Sequence, residues 1–289
     1  MPAPGRSAGD DPAGAPDQPV RGGYGVDAFG RIHPFGGAPE RLPGRVWDGV
    51  DIMRRVVCRR DGSGGYVMDA WGGVFPFGDV ERLRCHGLWP GSDVARDVAL
   101  TPDDRWGYVL DTDGGLHRLG SAPWPEDSGC RGKVGKAVAL ALRSDGRSGY
   151  VLGREGVVKA FGEPPPPGVE LGLPGGGRDA AAVPAVDLVL LDDDAGLVLR
   201  ADGSLAGFGG AELAQVKLRR LDRAVAFDAL ASGQGYVLTG RGCLLPFGGA
   251  EPVPRFPRDV QVVDVALAGR LPVPPPPQAG VGPASAVRN

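Results

Sequence analysis

Three carboxylates share one spacing in this chain: Asp27, Asp69 and Asp111. Neighbouring acids suit a hard cation such as calcium, which takes oxygen ligands at ~2.3–2.6 Å. An Asp that ends a strand, however, ordinarily accepts hydrogen bonds from its own turn. Equivalent positions of successive units also lie too far apart to share one ion. The sequence therefore predicts no metal, with these three acids as weak candidates. His33 and His117 share a second position, with Phe75 between them and Lys159 after, which reads as strand packing. The thiols Cys58, Cys85, Cys130 and Cys243 form no CxxC pair and are too few for a disulfide framework. His86 follows Cys85 directly, and neighbours in a strand point to opposite faces, so they make a poor dyad. Nucleophile-elbow, HExxH, P-loop and dinucleotide fingerprints are absent. No catalytic residue and no cofactor is predicted.

Aromatic residues give a different signal. Phe29 and Trp71 sit just before a turn glycine, where the later units carry Asp113, Glu155, Asp202 and Arg241. Turn tips are normally polar, so two aromatic tips in a row are unexpected. Trp47 and Trp89 follow at matching offsets in the next connections. Buried aromatics anchor interfaces, and these four residues are the candidate contact patch for a protein, a peptide or a glycan. The competing expectation is that each ring folds down over its own unit.

The elements that must position these residues are legible as a repeat. Tyr24, Tyr66, Tyr108, Tyr150, Leu197 and Tyr236 are each preceded by Gly, and each is followed eleven residues later by an aromatic or Leu and then Gly. The anchors recur every 39 to 47 residues, so one supersecondary unit is repeated. Within a unit, Tyr108 to Asp111 is a strand, Thr112-Asp113-Gly114 a tight turn and Leu116 to Leu119 the return strand. Asp97 to Leu100 is a strand that precedes them. A short fourth strand is expected near Glu40-Arg41-Leu42 and Glu81-Arg82-Leu83. The middle strand is apolar on both faces, so both faces must be covered, and blades stacked in a ring do that. The first unit lacks its leading strand, whereas Asp264 to Leu267 at the far end is spare. The predicted fold is all-β: a six-bladed β-propeller closed by a C-terminal strand that completes the first blade. Its extent is 21–270, with blade cores near 24–36, 66–78, 108–120, 150–162, 197–209 and 236–248. Polar and Pro-rich tails are expected over 1–20 and 271–289, and a stiff loop over Pro164–Pro167.

Bulk properties exclude several classes. A net charge of −3 gives no global field for nucleic acid or an anionic membrane. The first twenty residues lack the apolar core of a secretory signal, and no stretch approaches a membrane span. A soluble, cytoplasmic monomer is expected.

The units resemble the Gly-Tyr-Trp-Leu-type β-propeller repeats of bacteria with high genomic GC content. Asp61-Gly62-Ser63-Gly64-Gly65-Tyr66-Val67-Met68 and Gly73-Val74-Phe75-Pro76-Phe77-Gly78-Asp79 carry the likeness best, with Val in place of the family Trp. The units are also similar to NHL-type repeats. More distantly they resemble repeats of the regulator of chromosome condensation (RCC1) type, without that family's Asn and Gly-Gln-Leu-Gly box. The resemblance implies a propeller with a mostly binding role and transfers no catalytic residue. The alternatives are a hydrolase or lyase using an axial pocket, with a rim carboxylate such as Asp27 or Asp69 as base, and an RCC1-like regulatory or purely structural module.

Overall fold

Each unit folds as an antiparallel meander because alternating apolar runs are separated by turns that only glycine closes easily. The computed structural model describes residues 22–40, 44–124, 129–162, 183–211 and 214–268. The expected tails, the Pro164–Pro167 loop and Arg41-Leu42 lie outside these residues. Among the described residues there are nineteen strands and no helix, and hence no helix long and apolar enough to cross a membrane.

Six antiparallel sheets follow one another along the chain. The first contains β1 (Gly22–Asp27) and β2 (Ile32–Gly36). The second is β3 (Met53–Cys58), β4 (Gly64–Asp69) and β5 (Val74–Gly78). The third is β6 (Ala95–Leu100), β7 (Gly107–Asp111) and β8 (Leu116–Leu119). The fourth is β9 (Ala137–Leu142), β10 (Gly149–Gly153) and β11 (Val158–Phe161). The fifth is β12 (Ala185–Leu190), β13 (Gly196–Arg200), β14 (Ser204–Phe208) and β15 (Ala214–Gln215). The sixth is β16 (Ala224–Ala229), β17 (Gly235–Thr239) and β18 (Leu244–Phe247). The last strand, β19 (Val262–Leu267), returns to the first sheet and pairs with β1, with Gly23 opposite Leu267 and Tyr24 opposite Ala266.

Of the expected fourth strands, residues 81–83 form none, and among the described residues β15 alone adds a fourth strand to its sheet. After β5 the chain instead makes a single bridge, Cys85 to Leu119, on the neighbouring sheet. No disulfide joins the four Cys.

Middle strands are buried along their whole length, as strands with two apolar faces must be. Six apolar clusters fill the spaces between successive sheets. Tyr24 and Val26 pack on Met53, Val67 and Phe77 between the first and second sheets. Phe35 packs with Tyr236, Leu238 and Leu267 between the sixth and the first. Full burial of one such Val or Leu contributes about 1.5–3 kcal/mol. The first strands also lie side by side in sequence order, β3 on β6, β6 on β9, β9 on β12, β12 on β16, and then β16 on β19 and β19 on β3.

Repeat residues now have physical jobs. A Cβ on Gly65 would lie 2.1 Å from the Val57 carbonyl oxygen, and one on Gly107 2.0 Å from that of Ala99. The glycine before each anchor lets the leading strand come close. The anchor hydroxyl is a clamp. Tyr24, Tyr66, Tyr108 and Tyr236 donate to the carbonyls of Pro39, Glu81, Pro123 and Glu251 at 2.6–3.1 Å, each fifteen residues further on.

Removing residues 262–268 would leave the β1 edge unpaired, and such edges template aggregation. The truncated chain is expected to aggregate and to melt at lower temperature; a monomer with unchanged melting, read by light scattering and circular dichroism, would contradict this.

Candidate functional site

Two places gather side chains that can do chemistry: the channel between the first strands, and the rim that carries the turns between second and third strands.

The channel is built by a repeated irregularity. In every sheet the leading strand carries one extra residue opposite the middle strand: Arg54, Arg96, Val138, Val186, Val225 and Val263. Such bulges re-aim the adjoining side chain. The next position holds Arg55, Asp97, Ala139, Asp187, Ala226 and Asp264. Arg55 Nη1 and Nη2 donate to the two oxygens of Asp187 at 2.9 and 3.1 Å. Nη1 also reaches Asp264 Oδ1 at 3.3 Å, and Nε lies 3.2 Å from Asp97 Oδ1. Two bulge carbonyls complete the shell: Arg96 accepts from Nε and Val138 from Nη2.

Each acid also reaches to the next leading strand. Val56 N–H donates to Asp264 Oδ2 at 2.7 Å, Leu140 N–H to Asp97 Oδ2 at 2.7 Å and Phe227 N–H to Asp187 Oδ2 at 3.3 Å. Asp228, two residues further along β16, does the same with Leu267 N–H at 2.8 Å. Burial opposes the charge on Arg55, but Asp187, Asp97 and Asp264 outweigh it and strengthen its hold on its proton. Burial raises Asp97 and Asp264 above the usual carboxylate range despite Arg55, with the Asp187 charge adding to the rise. Asp228 is pushed up to about 7, first by burial and then by Asp187, against two backbone N–H bonds.

On the rim, Asp27, Asp69 and Asp111 close their own turns rather than facing one another. Asp69 Oδ1 accepts from the N–H groups of Trp71 and Gly73 at 2.9 and 2.7 Å, and Gly72 takes a φ of 86°. Asp27 bonds likewise to Phe29 and Arg31, and Asp111 to Asp113 and Gly115. The histidines, read from sequence as strand packing, are partners of these acids. His33 Nε2 lies 3.1 Å from Asp27 Oδ2, and His117 Nε2 2.8 Å from Asp111 Oδ2. Burial works against the Asp111 charge, yet His117, the two turn N–H groups and Arg131 hold its carboxyl low. Asp69 has Phe75 where the others have His, and burial pushes it up. Among the described residues no group of three His, Cys, Asp or Glu is placed to hold a metal ion. Cys85 donates to the Gly87 carbonyl, and His86 stacks edge-on against Trp124.

The four aromatics share this rim through their backbones. Trp47 N–H donates to the Phe29 carbonyl at 2.9 Å, and Trp89 N–H to the Trp71 carbonyl at 2.7 Å. The rings of Trp47 and Trp89 lie between their own sheet and the next. Trp47 packs edge-on to Phe75 of the second sheet at 4.8 Å, under Arg45, and Trp89 packs on His117 of the third at 4.7 Å. Trp71 remains 36% exposed. Two exposed apolar residues that sequence reading missed flank it: Val50 at 47% and Leu88 at 59%. Val50 is two residues from Ile52, whose carbonyl accepts from Ala70 N–H, and Leu88 adjoins Trp89. No common offset marks them in the sequence: Val50 lies three residues after Trp47, and Leu88 one before Trp89.

No protein-family profile and no curated protein matches this chain.

Replacing Arg55 with Met should destabilise the protein by about 3–5 kcal/mol in denaturant titration, the range for stripping a buried charge network of one partner. Adding Asp187→Asn and Asp264→Asn should recover part of the loss; no recovery would assign the effect to packing.

The pH dependence has a definite sign. Asp228 titrates near 7 in the folded chain and near 3.9 unfolded, so folding takes up a proton between those values. That stabilisation is complete below about pH 4 and is lost as pH rises toward 7; Asp97 and Asp264 add in the same direction. The melting temperature should therefore be higher at pH 5 than at pH 8, and Asp228→Asn should flatten the difference. A wild-type melting temperature equal or higher at pH 8 would reverse the assignment.

Proposed function

We propose that the chain is a six-bladed β-propeller, closed by β19 on β1, that works as a non-catalytic binding scaffold. Its partner is a protein, a peptide or a glycan, engaged through the rim around Trp71. The observation that carries the reading is the clustering of exposed apolar side chains there: Val50, Trp71 and Leu88 beside the half-buried Phe29, Trp47 and Trp89. Exposed apolar groups rimmed by charge mark contact surfaces. The charges are at hand in Arg54, Asp93 and Arg96, which form a chain of ion pairs at 2.6–3.0 Å beside the patch. The likeness of the units to Gly-Tyr-Trp-Leu-type and NHL-type repeats supports the same reading.

A hydrolase or lyase working from Asp27 or Asp69 fits less well. Oδ1 of each holds two turn N–H groups, and Asp27 Oδ2 is taken by His33. Asp97, Asp187 and Asp264 of the channel are committed to Arg55 and to backbone.

Affinity capture should be run with wild type, the double variant Phe29→Ser/Trp71→Ser, and Leu221→Ser, an exposed residue on a distant connection. Any partner or glycan-array hit retained by wild type and Leu221→Ser should weaken at least about tenfold in the double variant, the loss of one hot-spot contact. Equal binding by all three would reject the rim.

A further inference from the structure

A second cavity opens at the opposite end of the channel, independent of the Trp71 rim. Its volume is about 650 Å³, within the usual range of small-molecule sites. It meets a smaller channel cavity of about 250 Å³ that is lined by all six leading strands. Cys58 and Asp228 line both spaces and so stand at their junction. Leu142, Leu190, Leu230 and Leu267 form an apolar collar in front of them.

Asp228 differs from the other channel acids in one respect. Asp97, Asp187 and Asp264 lie within 3.3 Å of the Arg55 guanidinium, whereas Asp228 forms no ion pair among the described residues. Among the described residues Oδ1 accepts only Ala229 N–H, and Oδ2 only Leu267 N–H, both at 2.8 Å. An ionised carboxylate has about four acceptor sites, which leaves about two unused here. A buried carboxylate without a counter-charge is costly, and either a proton or a cation can relieve it. The groups facing it sharpen the choice of ligand. Asp97, Asp187 and Asp264 lie behind it along the channel with Arg55 among them, Cys58 beside it and Asp192 and Asp193 at the mouth, where Arg60 is the cationic residue. Asp192 is held by the N–H groups of Asp194 and Ala195, and Asp193 by Ser144. They contribute field without closing the entrance, so an anion is repelled and a cation is drawn in.

We propose that this cavity binds a small aliphatic amine as its ammonium ion, with Asp228 as counter-ion and the leucine collar around its hydrocarbon stem. An ammonium offers three donors on a compact charge. Each CH₂ of the stem removed from water adds to the affinity.

The test is a ligand-observed NMR titration of the whole chain with n-butylammonium, against n-butanol and butyrate as neutral and anionic counterparts. Wild type should bind butylammonium saturably and at least about tenfold more tightly than butanol, and should not bind butyrate. Asp228→Asn, shown folded by its melting curve, should lose at least tenfold. Ala231→Phe, which narrows the mouth without touching Asp228, should weaken binding whether or not Asp228→Asn folds. Affinity should rise about tenfold from pH 6 to pH 8, as a group half-titrated near 7 becomes ionised. Trp71→Ser should leave amine binding unchanged, so failure here and failure at the rim are separable. Equal affinity for butanol and butylammonium, wild-type behaviour of folded Asp228→Asn or of Ala231→Phe, or no saturation in millimolar amine would overturn the proposal.

Discussion

A carboxylate that reaches across to the next leading strand is the interaction on which the rest of the structure depends. Strands of different sheets share no ladder; at the turn ends single backbone bonds, such as Met53 N–H to the Ala28 carbonyl and Ala95 N–H to that of Ala70, tie one sheet to the next, and apolar packing fills the space between. Asp264 to Val56, Asp97 to Leu140, Asp187 to Phe227 and Asp228 to Leu267 supply directional bonds at four of these boundaries. Each fixes how far one sheet is slid along its neighbour. The bulge before each leading-strand position is what turns those side chains inward, and its carbonyl can then face the same space, as those of Arg96 and Val138 do.

Gathering acids in this way creates an electrostatic problem. Three carboxylates converge from β6, β12 and β19, and burial makes each charge expensive. Arg55 answers it from the same repeat position in β3, because a planar guanidinium can serve several acids at once. Burial, which one cation among three anions does not offset, makes Asp97 and Asp264 hold their protons to unusually high pH. The centre of the molecule is therefore tuned by protonation.

The repeated part of this architecture was legible in the sequence. Strand positions, turn glycines and the return of Asp264 to Leu267 to the first sheet follow from aligning six copies, because packing constrains each copy equally. Functional geometry was less legible. Asp97 and Asp264 appeared in the alignment only as parts of strands, and Arg55 fell outside the compared motif. Their convergence depends on sheets far apart in the chain. The His33–Asp27 and His117–Asp111 pairs were open to discovery, since each histidine occurs only in a unit whose strand ends in Asp. Val50 and Leu88 could not be ranked as exposed without knowing which way Trp47 and Trp89 turn. At Glu81-Arg82-Leu83 no fourth strand forms, and the Glu81 carbonyl accepts from the Tyr66 hydroxyl instead.

The tyrosine clamp also bears on how such a chain can change length. At Tyr24, Tyr66, Tyr108 and Tyr236 a phenol pins the outgoing segment fifteen residues on, and that segment needs no ladder. The fifth unit has Leu197 at the anchor and so has no hydroxyl to offer. There the outgoing chain is held instead by backbone pairing, Ser204 with Gln215 and Leu205 with Ala214. Phenol and short strand are interchangeable fasteners for one job. Residues can be gained or lost only beyond the fastener, so the connections that follow it are the part of each unit free to diverge and acquire new specificity.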